Sequence, residues 1–254
     1  MDQQDLSAKQ FGSNAAHYLA SPVHASGADL ERLTAIVAER QPAHALDLGC
    51  GAGHASFALA RGGATQVTAC DPSPDMLAVV AAEAAARGHA AITTRLGAAE
   101  SLAIASRSID LIVTRYSAHH WADVPRALTE CARVLRKGGR LIVIDVTAPE
   151  SPLLDTCLQV VEFLRDGSHV RDYRVAEWRR MLAAAGFGAP TIEAWKIPMA
   201  FESWVARLGT PAARVAALNT VMPALPAEAR EYFKLAADCS FEIDTAWIDS
   251  ERVD

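Results

Sequence analysis

Three glycines alternate with small residues in Asp47-Leu48-Gly49-Cys50-Gly51-Ala52-Gly53. Glycine lets a backbone turn tightly and lets a ligand approach it closely. The apolar run before them, Ala45 to Leu48, reads as a buried strand, and the chain beyond Gly53 reads as a helix. Free N–H groups at such a helix start suit a polar or anionic ligand. The spacing is Gly-x-Gly-x-Gly. It departs from the Gly-x-Gly-x-x-Gly of most dinucleotide binders, because Ala55 and Ser56 stand where a third glycine would be sought. Asp71 ends the next apolar run, and a carboxylate there can accept both hydroxyls of a ribose. The plainer reading of Asp71 is a cap or turn aspartate before Pro72.

Two later clusters could handle protons or anions. Tyr116-Ser117-Ala118-His119-His120-Trp121 follows a further apolar run, at the strand edge where open α/β sheets bind ligands. His119 and His120 are adjacent and so point different ways. Each is a candidate base, and each has the plain alternative of an imidazole bonding a loop carbonyl. Arg165-Asp166-Gly167-Ser168-His169-Val170-Arg171-Asp172-Tyr173 lies between two helical patterns. Arg165, His169 and Arg171 there could bind an anionic or phenolic group; the alternative is a solvated loop whose charges pair with one another. His119 and His120 have no third ligand at metal-site spacing, so no metal is expected.

These residues need a scaffold, and the chain supplies a regular one. Short apolar runs at 45–48, 66–70, 109–113 and 140–144 alternate with helical patterns. Val124, Ala127, Leu128, Cys131, Val134 and Leu135 share one helical face, and Lys137-Gly138-Gly139 is the expected stop. Strands alternating with helices predict a mostly parallel sheet with helices on both faces. Residues 1–40 read as an N-terminal helical cap, 41–200 as the core, 201–238 as a helical insertion and 239–254 as a last strand and tail, all in one domain.

With 254 residues, 51% of them hydrophobic, a sizeable core is available. A net charge of −6 without a Lys/Arg block argues against nucleic acid as a partner. Five scattered cysteines without a Cys-x-x-Cys pair argue against disulfides and zinc and fit a reducing cytoplasm. No apolar run is long enough for a membrane span, and no signal peptide is visible.

Taken together, the Asp47–Gly53 turn, Asp71, Gly97-Ala98-Ala99-Glu100-Ser101-Leu102, the run Ile109–Val113 and Leu135-Arg136-Lys137-Gly138-Gly139-Arg140-Leu141 resemble a class I S-adenosylmethionine-dependent methyltransferase. The chain is most similar to the ubiquinone and menaquinone C-methyltransferase branch and its small-molecule relatives. The resemblance implies a Rossmann-like sheet of seven strands, the last antiparallel, with the helical insertion between the last two. It implies S-adenosylmethionine as cofactor and S-adenosylhomocysteine as product. Gly49, Gly51 and Gly53 would lie under the methionine and ribose, and Asp71 would hold the ribose. Pro72, Ser73, Met76, Ala98, Ala99 and Glu100 would border the adenine. Asp47 would orient the amino group, Arg115 would meet the carboxylate and Tyr18 would cover the cofactor. His119, His120 and His169 are the catalytic candidates; Tyr116, His119, His120, Arg165, His169 and Arg171 are the acceptor-binding ones. The acceptor would be a small molecule methylated on O, N or C by in-line displacement, and the protein a monomer or homodimer. Two other readings share these features: a catalytically silent S-adenosylmethionine-binding protein, and a nicotinamide-dependent oxidoreductase on a similar sheet.

Overall fold

Alternation of apolar residues along each central strand decides which helix covers which face. The computed structural model describes residues 2–12 and 27–253. Seven strands run in chain order as β1 (His44–Leu48), β2 (Gln66–Asp71), β3 (Ile92–Leu96), β4 (Ile109–Arg115), β5 (Leu135–Ala148), β6 (Thr191–Met199) and β7 (Phe241–Glu251). In space their order is β3-β2-β1-β4-β5-β7-β6. The first five are parallel, and β7 runs antiparallel to both β5 and β6. The two residues Tyr173–Arg174 add a short parallel pairing at the end of β5.

Among the described residues the helices are α1 (Gln3–Gly12), α2 (Ala28–Arg40), α3 (His54–Arg61), α4 (Pro74–Ala86), α5 (Val124–Val134), α6 (Pro152–Arg165), α7 (Val175–Ala184), α8 (Phe201–Leu208), α9 (Ala212–Val221) and α10 (Ala227–Tyr232). Ala45, Val67, Leu111, Val113, Ile142 and Ile144 pack with Leu33 and Val37 of α2 and Leu59 of α3. Their strand neighbours Leu46, Leu48, Ile112, Leu141 and Val143 face the other way, onto α5 and onto Trp178 and Leu182 of α7. The helices after β6 form a third packed group with α6 around Trp204, Leu218, Phe241 and Ile243. The N-terminal helices, the helices on both faces, the insertion between the last two strands and the antiparallel last strand all match expectation.

Two local expectations need correction. β3, Ile-Thr-Thr-Arg-Leu, was not among the apolar runs, because it is an edge strand with four of its five residues exposed. And α5 stops at Val134, ahead of Lys137-Gly138-Gly139. Leu135 is already extended and pairs with Ile109; the register then slips, so that Leu111 faces Arg140. The glycines shape a bulge inside β5, with Gly138 at φ +73°.

Candidate active site

The strand order reverses between β1 and β4, and the crevice at the C-terminal ends of these strands is where such sheets bind ligands. Gly49 and Gly51 turn the chain there in the left-handed region, φ +69° and +49°. A Cβ on Gly49 would collide with Ser117 Oγ, whereas one on Gly51 would stand in open space. Gly53 differs. It caps α3 at φ +86°, and a Cβ there would meet Val80 at 2.9 Å and the Phe57 ring at 3.3 Å. It serves packing and does not line the cavity, which corrects the expectation that all three glycines lie against the ligand.

Asp71 closes the turn from the next strand. Its Oδ2 accepts the Gly51 N–H and its Oδ1 the Ser73 N–H, both at 2.9 Å. Burial pushes its carboxyl up to about 6. Asp47 lies buried beneath the turn and accepts the Ser56 hydroxyl at 2.6 Å; burial pushes it up to about 6 as well. These two carboxylates, Gly49, Gly51, Pro72, Met76, Ala98, Ala99, Glu100 and Arg115 line a first cavity of roughly 130 Å3, closed over by Gln4 and Phe11 of α1. Ser73 stands outside it, buried, where its hydroxyl caps α4 by accepting the Met76 N–H. At the cavity wall the Glu100 carboxylate also accepts the N–H groups of Ala122 and Asp123, which ties it to the loop. Tyr18 lies outside the described residues.

Past β4, Tyr116 adopts φ +51°, a conformation a bulky side chain enters at a cost of about 1–3 kcal/mol. The Arg115 guanidinium lies over its ring at 4.8 Å. Arg115 Nε donates to Asp29 Oδ2 at 2.5 Å, and both side chains are under a tenth exposed. The expected carboxylate partner of Arg115 is thus found within the protein.

A second cavity of about 460 Å3 lies between β6, β7, α2, α6 and α8, lined in part by His119, Glu162, Arg165, Trp195, Trp204, Arg207 and Trp247. The two cavities share Phe11, Arg115, Tyr116 and His120 as a common wall. His119 Nδ1 sits 2.6 Å from Asp145 Oδ1, at the end of β5. Burial pulls this imidazole down, but the adjoining Asp145 carboxylate outweighs burial and carries it up to about 9. His120 packs its ring on that of His119, centroids 4.1 Å apart, and its Nδ1 faces the Ser168 carbonyl at 3.2 Å. Burial and the charge on His119 hold His120 down at about 4.

His169 and Arg171 line neither cavity. His169 is buried behind His119, with Nε2 at 2.9 Å from Gln159 Oε1, and burial holds it down at about 3. Arg171 donates to Asp155 Oδ2 at 2.8 Å and approaches Glu177. Of the 165–173 cluster, only Arg165 reaches the second cavity. Sequence reasoning missed Asp29, Asp145, Glu162, Arg207 and the tryptophans of β6 and β7. Asp145 alone had a signal, an acidic residue at the end of a parallel strand. No helix among the described residues is long and apolar enough to cross a membrane.

Comparison with known proteins fits this geometry. The methyltransferase domain family matches residues 46–143. The chain is 46% identical to the uncharacterized protein YafE of Escherichia coli K12 over 186 residues, spanning 73% of this chain and 90% of YafE. It is 36% identical to the uncharacterized methyltransferase YcgJ of Bacillus subtilis over 226 residues, 88% of each chain. The crystal structure of YcgJ superposes with a TM-score of 0.83, covering 88% of this chain and 99% of that one at 32% identity. That of a putative methyltransferase from Bacillus halodurans superposes with a TM-score of 0.85 at 28% identity, covering 90% of this chain and 100% of that one.

Proposed function

The chain belongs to the class I S-adenosylmethionine-dependent methyltransferases, and on that premise we propose that it moves a methyl group from a cofactor in the first cavity to a small-molecule acceptor in the second. One observation carries this reading: two cavities share a wall, formed by Phe11, Arg115, Tyr116 and His120. A transfer in line from donor to acceptor needs that adjacency.

The residues around the first cavity fit S-adenosylmethionine. Gly51 leaves open the space that any side chain there would fill. A carboxylate offers about four acceptor positions. Asp71 gives one from each oxygen to backbone N–H groups, which leaves acceptor capacity for a ribose diol. When bound, S-adenosylmethionine supplies an already activated methyl group, so the demanding chemistry is the cofactor's. The protein's part is alignment, which is worth about 7–11 kcal/mol in favourable cases. Asp47, Pro72, Met76, Ala98 and Ala99 are the further residues we assign to holding the cofactor.

His119 lines the second cavity and keeps its proton at neutral pH, since its imidazole is carried up to about 9. A group already protonated does not serve as general base. In this reading it donates an N–H and a positive charge to an acceptor oxygen, and so favours an ionised nucleophile.

The test is incubation of the protein with methyl-labelled S-adenosylmethionine and a metabolite extract, beside calorimetric titration with S-adenosylhomocysteine and with NAD. Label recovered in a small molecule supports the proposal. Homocysteine-form binding with a persistent blank in transfer points instead to a silent binding protein. Binding of NAD alone overturns the reading.

A further inference from the structure

Asp29, Glu193 and Glu162 bring carboxyls to the wall of the second cavity. Asp29 pairs with Arg115 at 2.5 Å and Glu193 with Arg32 at 2.7 Å. Glu162 of α6 differs. It is 6% exposed, and its carboxyl has no hydrogen-bond or ion-pair partner among the described residues. Buried polar groups are nearly always partnered, because a missing partner costs free energy. An unpartnered carboxyl on a cavity wall therefore points to a ligand that supplies the missing donor. The charged groups around it are of both signs. Burial raises the Glu162 carboxyl above its ordinary 4.5. Arg165 beside it, His119 from the turn after β4 and Arg207 of α8 favour its charged form, while Asp166 and Asp172 oppose them. Burial prevails, and the shift is in the direction that a base working near neutral pH requires.

His119 complements it in the same cavity. Its Nδ1 is engaged by Asp145, and its Nε2 has no hydrogen-bond partner among the described residues. Its ring lies 4.1 Å, centroid to centroid, from that of His120 in the wall between the two cavities. An occupant thus meets one proton donor and one proton acceptor. A hydroxyl group answers both. One lone pair of its oxygen accepts from His119, the other is free to attack, and its hydrogen is given to Glu162. A neutral amine has a single lone pair, which the attack consumes, so it has none to offer His119.

We infer that the acceptor is a hydroxyl compound methylated on oxygen, and that Glu162 takes the hydroxyl proton. The oxygen lone pair forms the bond to the methyl carbon while the carbon–sulfur bond breaks and leaves its electron pair on sulfur. The proton passes to a Glu162 carboxylate oxygen, and from there to water once the product has left. This rests on the reading of the second cavity as the acceptor chamber.

The test incubates the whole protein with methyl-labelled S-adenosylmethionine and a metabolite extract, isolates the labelled product and reads the bonding of its methyl group by carbon NMR. A methyl ether is expected; a methyl ester, an N-methyl or a C-methyl product overturns the inference. At saturating cofactor, Glu162→Gln should lower the initial rate of transfer roughly a hundredfold or more, as loss of a base implies. It should also erase the acidic limb of the wild-type pH profile. Glu162→Asp keeps a carboxylate and should restore the limb and part of the rate. Both variants should bind S-adenosylhomocysteine as the wild type does, which shows that they are folded. A variant that cannot bind it makes Glu162 a structural residue and overturns the inference. So does a Glu162→Gln rate within about threefold of the wild type, far short of what a base supplies. A wild type that transfers no label fails the methyltransferase reading itself, and the inference falls with it.

Discussion

Nδ1 of His119 stands 2.6 Å from Oδ1 of Asp145, and the other oxygen of that carboxylate accepts the Ala118 N–H at 2.8 Å. The pair ties the turn after β4 to the end of β5 and sets a pH dependence. The folded His119 titrates at about 9, above its ordinary 6.5. Its contribution to stability is therefore full below pH 6.5 and is lost as pH rises through 9. For a group this little exposed it amounts to roughly 3 kcal/mol. His120 and His169 act on the other side: their folded values of about 4 and 3 mean that stability is lost as pH falls below 6.5. Asp47 and Asp71, raised to about 6, oppose them between their ordinary 3.8 and 6, and above 9 the buried Cys50, Cys70 and Cys131 thiols, pushed up by burial, act with the same sign as His119, so the window between 6.5 and 9 is the cleanest and the comparison with a His119 variant isolates the imidazole. Urea unfolding at pH 6.5, 8 and 9.5 should show a declining midpoint in the wild type and a flatter one in His119→Gln. Equal slopes would remove Asp145–His119 as the cause.

Asp71 joins stability to ligand binding. Hydroxyl donors on its oxygens favour the ionised form, so ligand affinity should fall as pH drops below about 6. Asp71→Asn should weaken S-adenosylhomocysteine by tenfold or more, roughly the worth of hydrogen bonds to a charged group, and flatten the pH dependence. Calorimetry at pH 5, 6 and 7.5 reads both effects; unchanged affinity in the variant would detach Asp71 from the ribose.

The two glycines of the turn should separate. Gly51→Ala meets no atom within 4 Å and carries the cost of a left-handed alanine, about 1–2 kcal/mol, but its methyl stands in the ligand space. Gly53→Ala drives a methyl into Val80 and Phe57 and should lose more stability than affinity. Thermal melts paired with S-adenosylhomocysteine titrations distinguish them, and a shared phenotype would contradict the assignment.

Arg115 and Asp29 form a buried pair, each side chain under a tenth exposed. Removing one partner leaves a charge without compensation, which costs about 3–5 kcal/mol, whereas removing both costs far less. Arg115→Met should thus unfold more readily than Arg115→Met/Asp29→Leu in urea. If the double variant is the weaker, the pair is a net stabiliser by itself.

The first cavity was legible in sequence because its groups are local. Gly49, Gly51 and Asp71 sit in two short segments at the ends of neighbouring parallel strands, so spacing alone places them together. The second cavity draws Arg32, Trp195, Trp204 and Trp247 from α2, β6, α8 and β7, and no local pattern reports such an assembly. His169 and Arg171 misled for the same reason. Composition marks the 165–173 turn as reactive, but which side of it faces the cavity depends on Gln159 and Asp155 of α6. β3 escaped notice because an exposed edge strand need not be apolar.

The way α1 is attached has a kinetic consequence. None of its residues is buried. Glutamine side chains help to hold it: Gln3 to the carbonyls of His120 and Ser168, Gln4 to Glu100, and Gln10 to the Leu208 carbonyl. Segments with little buried apolar surface open at low free energy, well before the domain unfolds. Because Phe11 belongs to the walls of both cavities, each such opening widens the two together. The two cavities then gain solvent in one event, at the frequency with which the ten residues of α1 detach.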